Sequence, residues 1–199
     1  MLPEIALALE KFRAKPGSII LGTNGLKTNS DSAYFKLTKP YTAASPWGID
    51  ATYTYTEAEE NRQFGETYSL DFVSIGDYPT LRSSGVPRHR FVTAGSVDLP
   101  IGATLSGKFQ IESPSFQKAQ VDSADPFLRQ IVGSVTRGNG DRWGRRQLDL
   151  AVTKYVPIGF VNDQARLRFR VDVLNVMNDR NFVDFNNNPL DPQYRQQVG

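Results

Sequence analysis

The stretch LRFRVDVLNV, residues 167–176, decides the fold because its side chains alternate between apolar and charged. Leu167 and Phe169 fall on one side of an extended chain, and Arg168 and Arg170 fall on the other. A period of two is the period of a β-strand, in which successive side chains point to opposite faces of the sheet. The segment therefore predicts a strand with one apolar and one charged face.

Five further segments alternate in the same way, and together the six predict antiparallel strands within residues 32–176. Their sequences are AYFKLTKPY, WGIDATYTYT, FVTAGSVDL, TLSGKFQIE and QLDLAVTKY. All are rich in the β-branched and aromatic residues that strands favour. We expect Phe35, Leu37 and Tyr41 on one face of the first segment. In residues 1–31, EIALALEKF fits a helix by propensity and a strand by alternation, and we expect a short helix or loop there.

The connections between these segments alternate in length. Residues 42–46, 100–102 and 157–163 are short and contain turn-forming Pro, Gly or Asn-Asp. Long polar stretches at 57–87 and 113–146 lie between them. This order predicts an all-β, antiparallel up-and-down sheet with short turns at one end and long loops at the other.

Composition argues against several classes of protein. The 199 residues include 23 basic and 21 acidic ones, and a net charge of +2 gives no footprint for nucleic acid. Without cysteine and with a single histidine, His89, neither a disulfide framework nor a zinc site is expected. No nucleophile elbow is present, so we expect no catalysis and no cofactor. No apolar run approaches the ~18 residues of a membrane helix.

One segment, DFNNNPLD, has the spacing of a calcium loop at Asp184, Asn186 and Asn188. Pro189 stands where such a loop needs glycine, and Arg195 stands where it needs a bidentate glutamate. We therefore expect no metal.

Two kinds of protein have strands of this alternating type, a soluble β-sandwich and a membrane β-barrel. Trp47 and Tyr55 would lie roughly 20 Å apart along the axis of a tilted barrel, like the aromatic rims of a membrane wall. Lys39 and Lys154 each interrupt the apolar face shortly before a short turn. At a bilayer edge a lysine can reach the headgroups, whereas a sandwich core would bury an unpaired charge. These features favour the barrel.

In such a barrel the two faces of the wall have different surroundings. The residues predicted to face lipid are Trp47, Tyr55, Leu105, Phe109, Leu148, Leu150, Leu167 and Phe169. The residues predicted to face the lumen are Asp50, Asp98, Lys108, Asp149, Arg166, Arg168, Arg170 and Asp172. His89 is expected at the rim, at the start of its strand.

The long loops would face outward and could contact a ligand. Candidate ligand contacts are Arg129, Arg137, Arg142 and Trp143. Residues 57–87 hold six acids and two arginines, a net charge of −4, and residues 113–146 hold six basic residues and three aspartates, a net charge of +3. These opposite charges favour pairing of the two loops with each other.

Four ordered segments resemble the C-terminal barrel region of TonB-dependent receptors, especially the Oar-like branch. They are AYFKLTKPYTAASPWGIDATYTYTEAEENR, DYPTLRSSGVPRHRFV, RQLDLAVTKYVPI and LRFRVDVLNVMNDRNF. The resemblance covers residues from about 32 to 182. It implies a 22-stranded barrel with a plugged lumen, placed in a Gram-negative outer membrane. Its function would be uptake or surface binding of a small nutrient, peptide or glycan, driven by the inner-membrane TonB complex.

No plug, TonB-contacting box, signal peptide or closing strand with a terminal aromatic residue is recognised. The resemblance therefore implies that residues 1–199 form a partial C-terminal barrel domain, with outer-membrane lipid, a plug and further strands as its partners. The alternatives are a secreted soluble β-sheet binding module and a plug-less porin.

Overall fold

The computed structural model describes residues 24–61, 76, 79–120, 131–137, 143–159, 164–181 and 185–196. Within these residues it contains nine strands: β1 (Thr28–Lys39), β2 (Trp47–Glu60), β3 (Leu81–Arg82), β4 (His89–Leu99), β5 (Ala103–Glu112), β6 (Ser115–Gln120), β7 (Ile131–Arg137), β8 (Arg145–Pro157) and β9 (Arg166–Val173). No helix in the described part is long and apolar enough to cross a membrane.

The six predicted strands form one open antiparallel sheet in the order β1–β2–β4–β5–β8–β9. This confirms the all-β, antiparallel expectation. Each neighbour in the sheet is also the next long strand in the chain, so the turns after β1, β4 and β8 lie at one end and the long connections lie at the other. β3 pairs with the long-loop end of β2, and β6 pairs with β7 in a separate two-stranded sheet.

Three boundaries differ from the prediction. β1 begins at Thr28, inside the region expected to be helix or loop, because its polar start pairs with the equally polar end of β2. β9 ends at Val173 and does not continue to residue 176, because Asn175 takes a positive φ of 51°, a conformation that asparagine tolerates and a strand does not. Strands β3, β6 and β7 lie in the two stretches expected to be long loops.

The register divides the sheet into two faces, because directly opposed residues of an antiparallel pair point to the same side. One row on the first face, here called the apolar face, is Lys39, Ile49, Gly95, Gly107, Leu150 and Val173. A row on the opposite face, the polar face, is Thr38, Asp50, Ala94, Lys108 and Asp149. Alternation along each strand therefore continues across the whole sheet.

The described residues have little interior. Their buried apolar residues are Ala103, Ala119, Ala151 and Phe185, and no large side chain is fully buried. On the apolar face of the six-stranded sheet, every described side chain larger than alanine is half-buried or exposed. Phe35 and Phe169, on the two outer strands, are 69% and 57% exposed. A second layer therefore does not cover this face within the described part.

The short turns step along the sheet. Their last paired residues are Lys39–Ile49, Leu99–Ala103 and Pro157–Arg166. We compare the turns by following the paired residues from strand to strand. On this scale the second turn lies four residues beyond the first, and the third turn lies three residues beyond the second. If the turns share one plane, this shift over four strand spacings tilts the strands by roughly 50°, from ~3.3 Å per residue and ~4.8 Å between strands.

Candidate functional site

The polar face carries all eight residues that the sequence predicted for a lumen: Asp50, Asp98, Lys108, Asp149, Arg166, Arg168, Arg170 and Asp172. Several of them are paired. Lys108 lies directly opposite Asp149 and attracts its carboxylate without forming a hydrogen bond or ion pair. The Arg170 guanidinium donates to Asp172 from Nε, which lies 2.9 Å from both carboxylate oxygens, and from Nη2 at 2.6 Å. Ion pairs and hydrogen bonds thus hold much of this charge along the strands.

Two arginines of this face are engaged less closely than Arg170, although Arg168 is attracted to Asp172. Arg166 and Arg168 are exposed near the short-turn end of β9 and form no hydrogen bond or ion pair within that part of the chain. Because Arg170 and Asp172 neutralise each other, the free positive charge of β9 lies at these two arginines. They are available to an anionic group on this face.

The sequence analysis did not single out a second polar ladder nearer the long loops. The Gln110 amide donates to Glu112 at 2.7 Å, and Glu112 also pairs with Arg90 on β4 at 3.1 Å. On β8, Arg145 donates to Gln147, whose amide donates in turn to Asp149. On β8, the alternation of the sequence RRQLDL indicates that Arg145, Gln147 and Asp149 share one face.

Tyr41 lies on the polar face, and its predicted apolar placement is wrong. Pro40 follows the end of β1, so the strand alternation stops before Tyr41. The tyrosine folds back over Gly48, where a Cβ atom would lie only 2.5 Å from the Tyr41 backbone nitrogen. Its hydroxyl donates to Asp98, and this bond to a carboxylate raises the pKa of Tyr41. Thr104 donates to the other oxygen of Asp98 at 2.8 Å.

The apolar face carries all eight residues predicted to face lipid: Trp47, Tyr55, Leu105, Phe109, Leu148, Leu150, Leu167 and Phe169. It also carries Lys39 and Lys154. Lys39 donates to the Trp47 carbonyl at 2.8 Å, and its Nζ lies 3.7 Å from the centre of the Trp47 ring. Lys154 is exposed and lies opposite Phe169.

Ionisable residues end the apolar face on the long-loop side, along an oblique line. On β2 the apolar face ends at Glu57, two residues after Tyr55. On β4 it ends at His89, which pairs with Tyr55, and on β8 it ends at Arg146, which pairs with Ile111 of β5. Through the strand register, the boundary therefore shifts toward the short turns by two residues from β2 to β4 and by two more from β4 to β8. Four residues, ~13 Å, over three strand spacings of ~4.8 Å give a slope of about 40°.

A charged cluster lies at the long-loop end of β2. Glu57 accepts hydrogen bonds from the Tyr55 hydroxyl at 2.6 Å and from Arg82 at 3.1 Å, and it also pairs with Arg88. The Arg82 guanidinium lies 4.0 Å from the centre of the Phe116 ring. The pairing of β2 with β3 and β4 brings these charges together.

Most charged side chains of the two long loops lie outside the described residues, so the expectation that the loops pair through opposite charges stays a prediction. Glu57 is neutralised by arginines of its own connection, and Arg146 pairs with Asp179, after β9. The loops do meet, but through backbone bridges between Ser84 and Phe116 and between Pro87 and Ser115. Local pairing thus satisfies Glu57 and Arg146.

The segment after β9, residues 174–181, caps the long-loop end of β8. Arg146 donates to both oxygens of Asp179 at 2.7 and 2.6 Å, which lowers the pKa of that carboxyl. The Asn181 side chain bonds both the N–H and the carbonyl of Arg146. The Asn175 side chain closes the turn onto the backbone of Asp179.

One of the four predicted ligand contacts has a described side chain. Trp143 is half-buried, and its ring centre lies 4.3 Å from the Arg146 guanidinium. Arg129 and Arg142 lie outside the described residues, and Arg137 belongs to β7, of which only the backbone is described.

The described residues contain no group of three or more side chains suited to a metal ion. Asn186 and Asn188 of the calcium-like segment accept hydrogen bonds from the backbone N–H groups of Asn188 and Leu190. Their oxygens therefore hold turns, while Asp184 lies outside the described residues. His89 begins β4, as expected, and its Nδ1 lies 2.8 Å from the Tyr53 hydroxyl.

No protein-family model, curated protein or solved structure matches this chain. A functional assignment must therefore be argued from the two faces of the sheet and the charged residues at their margins.

Proposed function

We propose that this chain forms part of the wall of an outer-membrane β-barrel of the TonB-dependent receptor type. In this proposal the apolar face contacts lipid and the polar face lines the lumen. The whole protein would bind or take up a nutrient ligand without catalysis. Its partners would be an N-terminal plug, the remaining strands and, through the plug, the TonB complex.

The oblique edge of the apolar face is the observation that carries the proposal. Strands of membrane barrels tilt by about 35–45° from the axis, so a horizontal bilayer boundary crosses neighbouring strands at successively shifted residues. The line through Glu57, His89 and Arg146 has a slope of about 40°. The steps of the short turns go in the same direction.

The width of the apolar face also supports lipid contact. On β8 eight residues separate Arg146 from Lys154, which is ~26 Å along the strand and roughly 20 Å along the membrane normal at a tilt near 40°. Both side chains are long enough to extend their charges beyond that width into the headgroups. The apolar band of outer-membrane barrels is about 25 Å tall.

Strand length and exposure agree with this proposal. Five of the six strands of the sheet have 10–14 residues, whereas strands of globular proteins most often have about 5–6 and a membrane strand needs about 9–11. In water the exposed apolar side chains of the sheet would need a covering layer. Lipid would provide that layer.

The polar face suits a wet or plugged lumen. The Arg170–Asp172 pair needs no further neutralisation. Arg166 and Arg168, which form no hydrogen bond or ion pair with the described residues, offer contacts to an acidic part of a plug or ligand. Residues of the long loops, including Arg129, Arg137 and Arg142, remain proposed ligand contacts. Trp143 is a weaker candidate because Arg146 covers its ring.

Single cysteines test the proposal directly, since these 199 residues contain none. We compare Phe109→Cys with Lys108→Cys, and Phe169→Cys with Arg170→Cys, in the full gene product in outer membranes. Each cysteine carries a fluorescent label that is exposed to nitroxide-bearing lipids or to aqueous iodide. Lipid nitroxide should quench the label at 109 and 169 but not at 108 and 170.

Quenching by iodide alone at all four positions would contradict the proposal and favour a soluble sheet module. Quenching by lipid nitroxide at 108 and 170 would reverse the two faces and contradict it equally.

A further inference from the structure

An open groove of about 480 Å³ lies in the middle of the apolar face. Its floor is Gly95 and Gly107, which pair with each other across β4 and β5. Trp47, Phe109 and Leu150 are among the apolar side chains that line it. The groove exists because two neighbouring strands lack side chains at the same level.

The sheet requires glycine at position 95 but not at position 107. A Cβ atom on Gly95 would lie 2.7 Å from the Gly48 carbonyl oxygen, so close approach of backbone requires glycine there. A Cβ atom on Gly107 would lie 3.0 Å from the end of the Leu150 side chain, which can move, and 3.7 Å from the nearest backbone atom, the Asp149 oxygen. Sheet pairing alone therefore does not require the space above Gly107.

Two lysines of the apolar face flank the groove, Lys39 in the same cross-strand row as its glycine floor and Lys154 nearer the short turns. Lys39 lies over Trp47, a wall of the groove. Lys154 follows Leu150, the opposite wall, by four residues on the same face, and it forms no hydrogen bond or ion pair with the described residues. Among the described residues no acid lies on the apolar face between the groove and the short turns.

We propose that this groove holds an acyl chain of an anionic phospholipid, with the phosphate bound by Lys154. The inference rests on the proposed function, because it requires lipid against the apolar face. The charge of Lys154 favours this occupant, because a neutral lipid would fill the groove without neutralising Lys154, and an apolar protein surface would also leave it unneutralised. The phospholipid belongs to the leaflet at the short-turn end.

Trp47 reports occupancy of the groove because its ring lines it. The measurement uses the full gene product in phosphatidylcholine vesicles that contain a small, equal fraction of phosphatidylglycerol or phosphatidylcholine brominated on the acyl chain. Subtracting the spectrum of the Trp47→Phe variant isolates the Trp47 signal. We expect brominated phosphatidylglycerol to associate more tightly, by about fivefold, because one lysine meets its phosphate.

Variants separate a specific site from general attraction. Lys154→Gln should reduce the preference for phosphatidylglycerol about fivefold. Lys108→Gln removes the same charge from the polar face and should leave the preference intact. Gly107→Leu fills the groove and should weaken quenching by brominated phosphatidylglycerol. If that variant does not fold, Gly107→Ala replaces it, because its Cβ meets only the movable end of Leu150.

The outcomes distinguish this inference from the function on which it rests. Equal quenching by the two brominated lipids would overturn the anionic site and leave the membrane assignment standing. Absence of quenching by either lipid would contradict the membrane assignment itself. A loss of preference as large in Lys108→Gln as in Lys154→Gln, or full quenching in the Gly107 variant, would also overturn the site.

Discussion

Replacing Leu150 with arginine tests the membrane assignment at its most sensitive position. Leu150 lies midway between Arg146 and Lys154 on the apolar face of β8, four residues from each. Four residues are ~13 Å along the strand, or about 10 Å along the membrane normal at a tilt near 40°. The introduced arginine would thus lie near the bilayer midplane, where arginine on a barrel's lipid face costs about 2–4 kcal/mol.

The cost should depend on depth. Val156 lies on the same face of β8 but beyond Lys154, close to the short turn. Arginine near the interface costs only about 0–1 kcal/mol, so Val156→Arg should be much milder than Leu150→Arg. A soluble sheet has no reason for such a gradient along one exposed face.

Two controls isolate the lipid contribution. The Leu150 side chain reaches over Gly107, so any truncation also loses packing, and Leu150→Ala measures that loss. Ser106→Arg places the same charge on the polar face between Ser96 and Ala151 and should cost less than about 1 kcal/mol, as ordinary surface substitutions do.

The assay is reversible folding of the full gene product into lipid vesicles, followed by urea titration. The free energy of unfolding of Leu150→Arg should fall below that of Leu150→Ala by about 2–4 kcal/mol. The reasoning is refuted if the two variants are equally stable, or if Val156→Arg costs as much as Leu150→Arg.

Three further predictions concern single contacts and the edges of the sheet. Gly48→Ala drives a Cβ into the Tyr41 backbone and should lower the free energy of unfolding by about 1–3 kcal/mol. The control Gly159→Ala adds a Cβ with nothing within 4 Å and should leave the free energy of unfolding unchanged. Equal urea midpoints for the two variants would contradict this prediction. The lowered pKa of Asp179 stabilises the 174–181 cap above the ordinary carboxyl pKa and loses that effect as pH falls through the lower folded value. Exchange of the Val176 amide, bonded to Leu148, should therefore accelerate in acid beyond the intrinsic rate change, and Asp179→Asn should abolish this dependence. Because β1 and β9 are the edges of the described sheet, the 199-residue chain alone should aggregate in water; a monodisperse monomer with a cooperative thermal transition would be inconsistent with the proposal.

The sequence was sufficient to predict the two faces of the sheet because alternation is a local property that backbone pairing preserves. Once Phe109 and Leu148 pair across β5 and β8, their common face follows from each strand separately. The prediction was wrong at Tyr41, which lies beyond the last paired residue of its strand. There a turn, and not the pleat, sets the direction of the side chain.

Contacts at the long-loop end could not be predicted in the same way. The pair of Arg146 with Asp179 joins residues 33 positions apart, and it depends on Asn175 turning the chain after β9. Arg82 meets Phe116 only because β3 and β6 bring two connections together. A periodic sequence pattern cannot predict such a contact, because the contact depends on how the connections fold over the ends of the strands.

Alternation alone does not separate a membrane wall from one sheet of a sandwich, but the position of the charges across the register favours the proposed membrane wall. Compared through the strand register, Lys154 on β8 lies four residues nearer the short turns than Lys39 on β1, over four strand spacings. This shift corresponds to a slope of about 35°. The line through Glu57, His89 and Arg146 slopes in the same direction at about 40°. The apolar face is therefore a band of nearly constant width that crosses the strands obliquely. A sandwich core is bounded by the outline of its partner sheet, which has no need to follow one straight line on each side. In the proposed barrel a flat bilayer would impose such a band on every tilted strand, and that requirement would account for two lysines on an otherwise apolar face.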